Sequence, residues 1–504
     1  MRFLKVLAVV SLGLAVVVAA GWVTVRSSNL QPQAGTLLLY PERIALQGGG
    51  YARCDRGMMF VPANRSRPGG GVIGVEIYRF KSDKAAPGTP PVFRLHGGPG
   101  WGGLSGSLGQ PGFYQREIVP QLETADLVVV GQRGIGSSKP DTVCDAPAKL
   151  PLDRKVSEEE EAEVLRQASR QCKDFWESTG LDLSGLNVVE AAADVNDVRQ
   201  ALGYGKITLW GRSFGSHWAM AVMRFHPDAV ERAVLTGMEG PDHTYDMPSW
   251  VLKALERIAK AAESSDRLKE QIPEGGLIEA FKSVVARLDE EPVKVSVPGG
   301  AEIYLDGDDI RDMAYGYSGR TSSRRGIQTW ASDVLTLYAG DYDPAARTVA
   351  RQLARGGFPT ASFFMLDCGS GISRQRLQHL QSDPAKVVVG DLGWFYQTAC
   401  AEWGSDLGEA FRKNFETGIP TLIVQGDWDT STPYENALEL KPYFKNSTFV
   451  TVRGGSHGAL PEAMREDESF SAAVMKFIGE GDVSGIPEEV QLPEIVWTKP
   501  SLSK

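Results

Sequence analysis

One stretch, KITLWGRSFGSHWAMAVMRFHP over Lys206 to Pro227, constrains this chain more than any other. Ile207, Leu209 and Trp210 form a short apolar run suited to a buried strand. Gly211-Arg212-Ser213-Phe214-Gly215 follows as G-x-S-x-G, and Ala219, Val222, Met223 and Phe225 then recur at the spacing of one helical face. Strand, sharp turn and helix predict an elbow that pushes a serine hydroxyl out at the strand's end, with glycines on both sides letting the backbone fold that tightly. The motif alone is a weak signal in a chain with 56 glycines among 504 residues, and Gly454-Gly455-Ser456-His457-Gly458 matches it again. The second match opens no apolar helix, Pro461 follows it closely, and no histidine lies beyond His457. Ser213 is therefore the nucleophile candidate.

The length allows a large core and more than one domain. A net charge of -10 argues against nucleic acid as a partner, because phosphate binding needs a basic surface. At the N-terminus Arg2 and Lys5 precede an uncharged run from Val6 to Val25, closed by Arg26. Val18-Ala19-Ala20 offers the small residues of a cleavage site, so the segment reads as an export signal. The same run matches the roughly 20 residues that span a bilayer, so membrane attachment through residues 6–25 is the alternative. Either reading places the rest outside the cytoplasm, where the five cysteines can pair. Cys144 with Cys172, and Cys368 with Cys400, each close a modest loop and leave Cys54 over; five reduced, buried cysteines are the competing expectation.

Short apolar strands alternate with helical stretches along most of the chain. Residues 31–82 predict an antiparallel start, with strands over Met58 to Pro62 and Val72 to Phe80 turning at Pro68-Gly69-Gly70-Gly71. Pro91 to Leu95 runs into His96-Gly97-Gly98-Pro99-Gly100, and Leu127 to Val130 into Gly131-Gln132-Arg133-Gly134. Helices are expected over Glu158 to Phe175, behind a Ser157/Glu160 capping box, and over Val188 to Leu202. From about Pro241 the rhythm turns helical, with one hairpin at Pro298-Gly299-Gly300. The Asp306-Gly307-Asp308-Asp309 run reads as a turn and helix cap, since Arg311 stands where a calcium loop needs glycine. Strands resume at Pro420 to Val424 and Ser447 to Val452, a last helix covers about Glu466 to Ile478, and residues 487–500 are expected to lie extended on the surface.

Several of these elements together resemble the proline iminopeptidase and tripeptidyl aminopeptidase family: His96-Gly97-Gly98-Pro99-Gly100, Gln132-Arg133-Gly134-Ile135-Gly136-Ser137-Ser138, the elbow, the Asp429 loop and His457. The resemblance covers about residues 50 to 480. It implies an α/β-hydrolase fold, a mostly parallel central sheet flanked by helices with an inserted, mainly helical cap. The expected organisation is a signal or anchor over 1–28, a core over 29–240 and 395–482, a cap over 241–394 and a C-terminal tail over 483–504. Two departures stand out. Gly131 replaces the family's aspartate, leaving Arg133 without a local partner, and Arg212 and Phe214 alter the elbow's usual side chains.

A serine hydroxyl becomes a useful nucleophile only when a neighbouring base takes its proton. His457, after the last core strand, is the expected base. Asp429, after the preceding strand, would hold its tautomer and stabilise its charged form, with Asp427 the competitor. The oxyanion needs donors already aimed: the Phe214 amide is one, and Gly98, ahead of Gly97, is the other. His96 is expected to orient its loop, and His217 and His226 to pack or lie at the surface. An aminopeptidase must also neutralise a substrate ammonium, for which Glu239, Asp242, His243 and Asp246, following the next strand, are the candidates. No dinucleotide or phosphate loop stands in context, and histidines and cysteines are too scattered for a metal site, so no metal or organic cofactor is expected. The reading is thus an exported serine exopeptidase acting on peptide N-termini. An esterase or amidase with the same triad is the first alternative, and a membrane-tethered, non-catalytic binding protein the second.

Overall fold

The computed structural model describes residues 32–500 apart from 47–48, 101–102, 109–111, 146–149, 152, 316–319 and 356–357. The proposed export segment lies outside the described residues. The strands are β1 (Leu37–Ala45), β2 (Tyr51–Pro62), β3 (Val72–Phe80), β4 (Val92–Leu95), β5 (Leu127–Val130), β6 (Ile207–Arg212), β7 (Val230–Thr236), β8 (Val293–Ser296), β9 (Glu302–Leu305), β10 (Thr421–Gly426), β11 (Ser447–Arg453) and β12 (Glu489–Gln491). Ten of them form one sheet in the order β1-β2-β3-β5-β4-β6-β7-β10-β11-β12, while β8 and β9 pair as a separate hairpin. The first three strands and the β3–β5 pair are antiparallel; from β5 through β4 to β12 every pairing is parallel. Pro41 sits in the middle of β1, an edge strand, which is where a sheet tolerates a residue without an N–H.

Alternating side chains feed two cores on the two sheet faces. Phe93, Leu95, Val128, Val130, Ile207 and Leu209 join one cluster. Val92, Leu127, Val129 and Trp210, their sequence neighbours, join the other. The first face is covered by α1 (Glu158–Ser178), α2 (Val188–Ala201) and α3 (Phe214–Phe225), through residues such as Leu165, Val195 and Trp218. At the start of α1 Ser157 accepts the Glu160 amide as expected, but the Glu160 carboxylate pairs with Arg154 instead of returning to the cap.

Strands β7 and β10 are adjacent and parallel, so residues 237–420 are an insertion between neighbouring strands. Within it run α4 (Pro248–Glu263), α5 (Gly276–Glu290), α6 (Gly307–Ala314), α7 (Arg324–Tyr338), α8 (Ala361–Ser370) and α9 (Trp394–Trp403). Helices α4 to α7 share their own apolar cluster, whereas Phe363, Phe364 and Leu366 of α8 and Ala399 and Trp403 of α9 belong to the main core. Asp306 caps α6 in a reciprocal capping box with Asp309. After β11 come α10 (Ala459–Glu466) and α11 (Glu468–Glu480).

Three sequence expectations are changed or settled by packing. Arg133 does have partners, supplied from afar. Its Nη2 reaches Asp194 at 2.8 Å and Glu190 at 3.2 Å, Nε donates to the second Asp194 oxygen, and the carbonyls of Ala63 and Gly185 accept from Nη1 and that of Pro62 from Nη2. Gly131 stands where the aspartate was missed, in a tight place: a Cβ there would lie 3.0 Å from the Ser138 hydroxyl and 3.1 Å from the Glu76 carbonyl oxygen. Residues 487–500 do not simply lie on the surface: β12 extends the sheet, and Val490, Leu492 and Trp497 are buried. Their apolar residues are interrupted by prolines, so no strand of recognisable length stands out. The disulfides Cys144–Cys172 and Cys368–Cys400 are both formed, and Cys54 is a buried free thiol. Burial, with Glu42 and Asp55 nearby, pushes that thiol up to about 12, which makes it a poor nucleophile.

Candidate active site

The elbow carries its strain at the serine. Ser213 has φ 58° and ψ −134°, the only positive φ at a non-glycine among the described residues. Its glycine neighbours are dictated by contact: a Cβ at Gly215 would lie 2.1 Å from the Leu95 carbonyl oxygen, and one at Gly211 2.4 Å from that of Gly215. The start of α3 is thereby pressed onto the ends of β4 and β6. The loop after β4 closes over the serine, with Gly97 so near that a Cβ would meet the Ser213 Cβ at 2.9 Å.

That loop is held from behind. Gln132 Nε2 donates to the carbonyls of His96 (3.2 Å) and Gly97 (3.1 Å), and its Oε1 accepts from the Gly100 amide at 3.0 Å. In a trans peptide the N–H points opposite to the C=O, so the amides of Gly97 and Gly98 are turned away from Gln132. Among the described residues neither the Gly98 nor the Phe214 amide is taken by an acceptor. His96 is an orienting residue by its contacts: burial holds it down to about 4, so it stays neutral, and its Nδ1 lies 3.2 Å from the Gly97 carbonyl oxygen.

The loops after β10 and β11 bring Asp429 and His457 together. His457 Nδ1 lies 3.0 Å and 3.1 Å from the two Asp429 oxygens. The carboxylate also accepts from the Ser431 and Thr432 amides, the Thr432 hydroxyl and Gln425. Burial alone would raise its pKa; His457 and the Thr432 donors outweigh that and hold it below the usual value. Asp427 faces elsewhere, accepting the Gly454 amide at 2.8 Å. The exit of β7 lies against both Ser213 and His457: the Ser213 amide donates to Thr236 O at 3.1 Å, and a Cβ on the next residue, Gly237, would stand 3.0 Å from His457 Cε1. With Nδ1 engaged by Asp429, Nε2 is the ring nitrogen that no hydrogen bond occupies among the described residues.

Of the four residues expected at the amine site, two stay together and two are committed elsewhere. The Glu239 amide is bound by the Ser216 hydroxyl, one turn from Ser213, and its carboxyl is buried. Asp246 accepts a hydrogen bond from the Tyr315 hydroxyl. Asp242, by contrast, takes the amide and hydroxyl of Ser373 and so ties down the N-terminus of the Arg374–Gln381 helix. His243 turns to Glu439 at 3.3 Å and to the edge of Trp250. Sequence reasoning missed Asp367, buried on α8, whose Oδ2 accepts from the Tyr396 hydroxyl of α9 at 2.9 Å. A single acid inside the apolar run ASFFMLDCGS, beside a disulfide cysteine, was the available signal.

Glu239, Asp246 and Asp367 feel one another. Burial raises all three; Asp367 and Asp246 push Glu239 further up, and Asp246 and Asp367 are each lifted to about 7. Among the described residues none of the three has a lysine or arginine ion-pair partner, and no three acidic or histidine side chains converge as tightly as metal ligands do. Aromatic rings flank the cluster: Tyr396 stacks on Tyr245 at 5.0 Å and lies parallel to Phe363, which touches Gly100 of the glycine loop. His217 spans from the elbow helix to this wall, between the Gly240 carbonyl (2.9 Å) and the Ser370 hydroxyl (2.9 Å).

Residues 90–463 match the family described as alpha/beta hydrolase fold. The chain is 28% identical over 227 residues to the serine protease Hip1 of Mycobacterium tuberculosis; the match covers 44% of this chain and spans only 40% of that relative's length. It is 22% identical over 432 residues to the tripeptidyl aminopeptidase of Streptomyces lividans, covering 80% of this chain and 78% of the relative. With the proline iminopeptidase of Neisseria gonorrhoeae it shares 27% identity over 388 residues, covering 75% and 87%.

Proposed function

Because the chain belongs to the α/β-hydrolase fold family, we propose that it is an exported serine exopeptidase that cleaves peptide bonds near a free N-terminus. Ser213 Oγ attacks the scissile carbonyl carbon as His457 Nε2 takes its proton. Asp429 keeps the Nδ1–H tautomer and stabilises the imidazolium. The amides of Phe214 and Gly98 receive the oxyanion, each donor contributing about 3 kcal/mol to the transition state. The imidazolium then protonates the departing amine, leaving an acyl-Ser213 ester. Water, deprotonated by His457, attacks that ester and releases the acid.

The observation that carries the exopeptidase reading is the cluster of Glu239, Asp246 and Asp367. Carboxyls buried beside one another with no ion-paired cation, Arg376 acting on Asp246 only from beyond contact, are costly, and a substrate ammonium would relieve them. The aromatic flank of Phe363, Tyr396 and Tyr245 suits an apolar residue next to that ammonium. Peptidase names among the relatives agree with this class, and the two disulfides favour an oxidising compartment. The test is labelling by a fluorophosphonate together with turnover of free and N-acetylated peptide anilides. Labelling lost in Ser213→Ala and turnover confined to free amines are expected. Labelling with equal turnover of blocked and free substrates would make the protein an esterase or amidase instead.

A further inference from the structure

The apolar cluster shared by α4 to α7 is built almost wholly from residues 251–392. Among the described residues its only members from outside that span are Trp428, Ile495 and Trp497. Trp428 lies between Asp427 and Asp429 on the acid loop, and its ring faces that of Trp497 at 6.3 Å. The chain reaches Trp497 from the sheet: β12 pairs with β11, the Leu492 amide donates to Arg453 O at 3.1 Å, and the last contacts are to α7. There the Thr498 amide donates to Gln328 O at 3.0 Å, and Gln328 Nε2 donates back to Val496 O. Arg324, one turn earlier on α7, donates to Pro493 O and, through Nη1 at 2.7 Å, to Gly454 O. Gly454 begins the loop that carries His457, and a Cβ there would sit 3.7 Å from the Trp428 ring. From the other side Arg257 of α4 donates to Asp427 O at 3.1 Å, and the Trp428 amide donates to Gly455 O at 2.9 Å.

We infer that Trp497 and Arg324 are positioning residues for the hydrolytic reaction: the segment over residues 489–498 is a strap that seats the helical insertion against the Asp429 and His457 loops and holds those loops in register. A strap serving stability alone would have no need to place its one buried ring on the residue before Asp429, nor to share Arg324 of α7 with the residue three before His457. Asp367 and Tyr396 sit on α8 and α9, whose apolar residues join the main core and not the cluster that the strap completes. Loosening the strap disturbs proton transfer at His457 and leaves recognition of the substrate amine alone. Sub-ångström to 1 Å misplacement of catalytic groups costs up to about a hundredfold in rate.

The inference rests on the serine-hydrolase reading, and the experiment separates the two. The full chain, with Trp497→Ala, Trp497→Phe and Arg324→Met variants, is assayed on a small ester and on a free-amine peptide anilide, well below each variant's Tm. Fluorophosphonate labelling is followed alongside. Trp497→Ala should lower kcat on both substrates by about ten- to a hundredfold with KM little changed, slow labelling in parallel, and shift the acidic limb of the kcat profile. Trp497→Phe should recover most of the loss, and Arg324→Met should act in the same direction. Unchanged kcat and labelling in Trp497→Ala, or in Arg324→Met should the alanine variant not fold, overturns the strap. So does a loss confined to KM for the free-amine substrate. Absence of labelling in the unaltered protein overturns the hydrolase reading itself.

Discussion

At the scale of single residues, the proposed function turns on carboxyls that are not where their solution chemistry would keep them. Asp246 and Asp367 are lifted from 3.8 to about 7 by burial, with the charge of Asp429 adding to the first and that of Asp246 to the second. Below that value they are protonated and offer no charge to an ammonium. KM for free-amine peptides should therefore fall as pH rises toward 7, then climb again once the substrate α-amine deprotonates near about 8. Small esters should lack this dependence, which steady-state assays across pH 5 to 9 will read. Stability runs the opposite way. A raised carboxyl pKa means the folded chain binds more protons than the unfolded one between 3.8 and about 7, so the stabilisation is complete at the acid end of that window and is lost as pH rises through it. Thermal melts should show Tm decreasing from pH 5 to 8, and Asp367→Asn should flatten that decrease. Glu239 and Asp246 drew attention because they follow a recognisable strand. Asp367 did not, because only the fold lays α8 across the glycine loop.

At the scale of elements, the same residue type is needed for different reasons on two sides of the serine. Gly215 is pinned against backbone, with a would-be Cβ 2.1 Å from Leu95 O, so Gly215→Ala should lower Tm sharply, by an overpacking cost of about 1–3 kcal/mol or more. Gly97 faces the Ser213 side chain across a half-buried loop. Gly97→Ala, whose Cβ would meet the Ser213 Cβ at 2.9 Å and the Arg212 carbonyl oxygen at 3.1 Å, should lower Tm less than Gly215→Ala and lose about a hundredfold in kcat as the oxyanion donors move off target. Circular dichroism melts paired with ester kinetics distinguish the two. The elbow, β4, β5, β10 and β11 could be located from residues alone, since short apolar runs ending in glycine-rich turns have a physical meaning that survives folding. The partner of Arg133 could not. Asp194 lies on α2, 61 residues away, and nothing local marks the pairing. Nor could β12, whose three residues fall below any periodicity.

At the scale of the whole molecule, the insertion between β7 and β10 supplies both walls of the proposed amine site, and a covalent tie holds them in register. Cys368–Cys400 joins α8, which bears Asp367, to α9, which bears Tyr396. Cysteine-to-serine replacement at both positions should raise KM for free-amine peptides while leaving ester turnover nearly unchanged, whereas replacing Cys144 and Cys172 should affect stability alone. The change in rhythm near Pro241 falls close to where residues 237–420 part the neighbouring strands β7 and β10. That α8 and α9 belong to the main core was not legible in the sequence, because their apolar residues carry no mark of which cluster they join. The most direct measurement of the central claim is the ratio of kcat/KM for a free-amine peptide anilide to that of its N-acetyl counterpart at pH 7.5. An ammonium held by buried carboxyls beside Ser213 predicts a preference of about a hundredfold or more for the free amine; a ratio near one would contradict it.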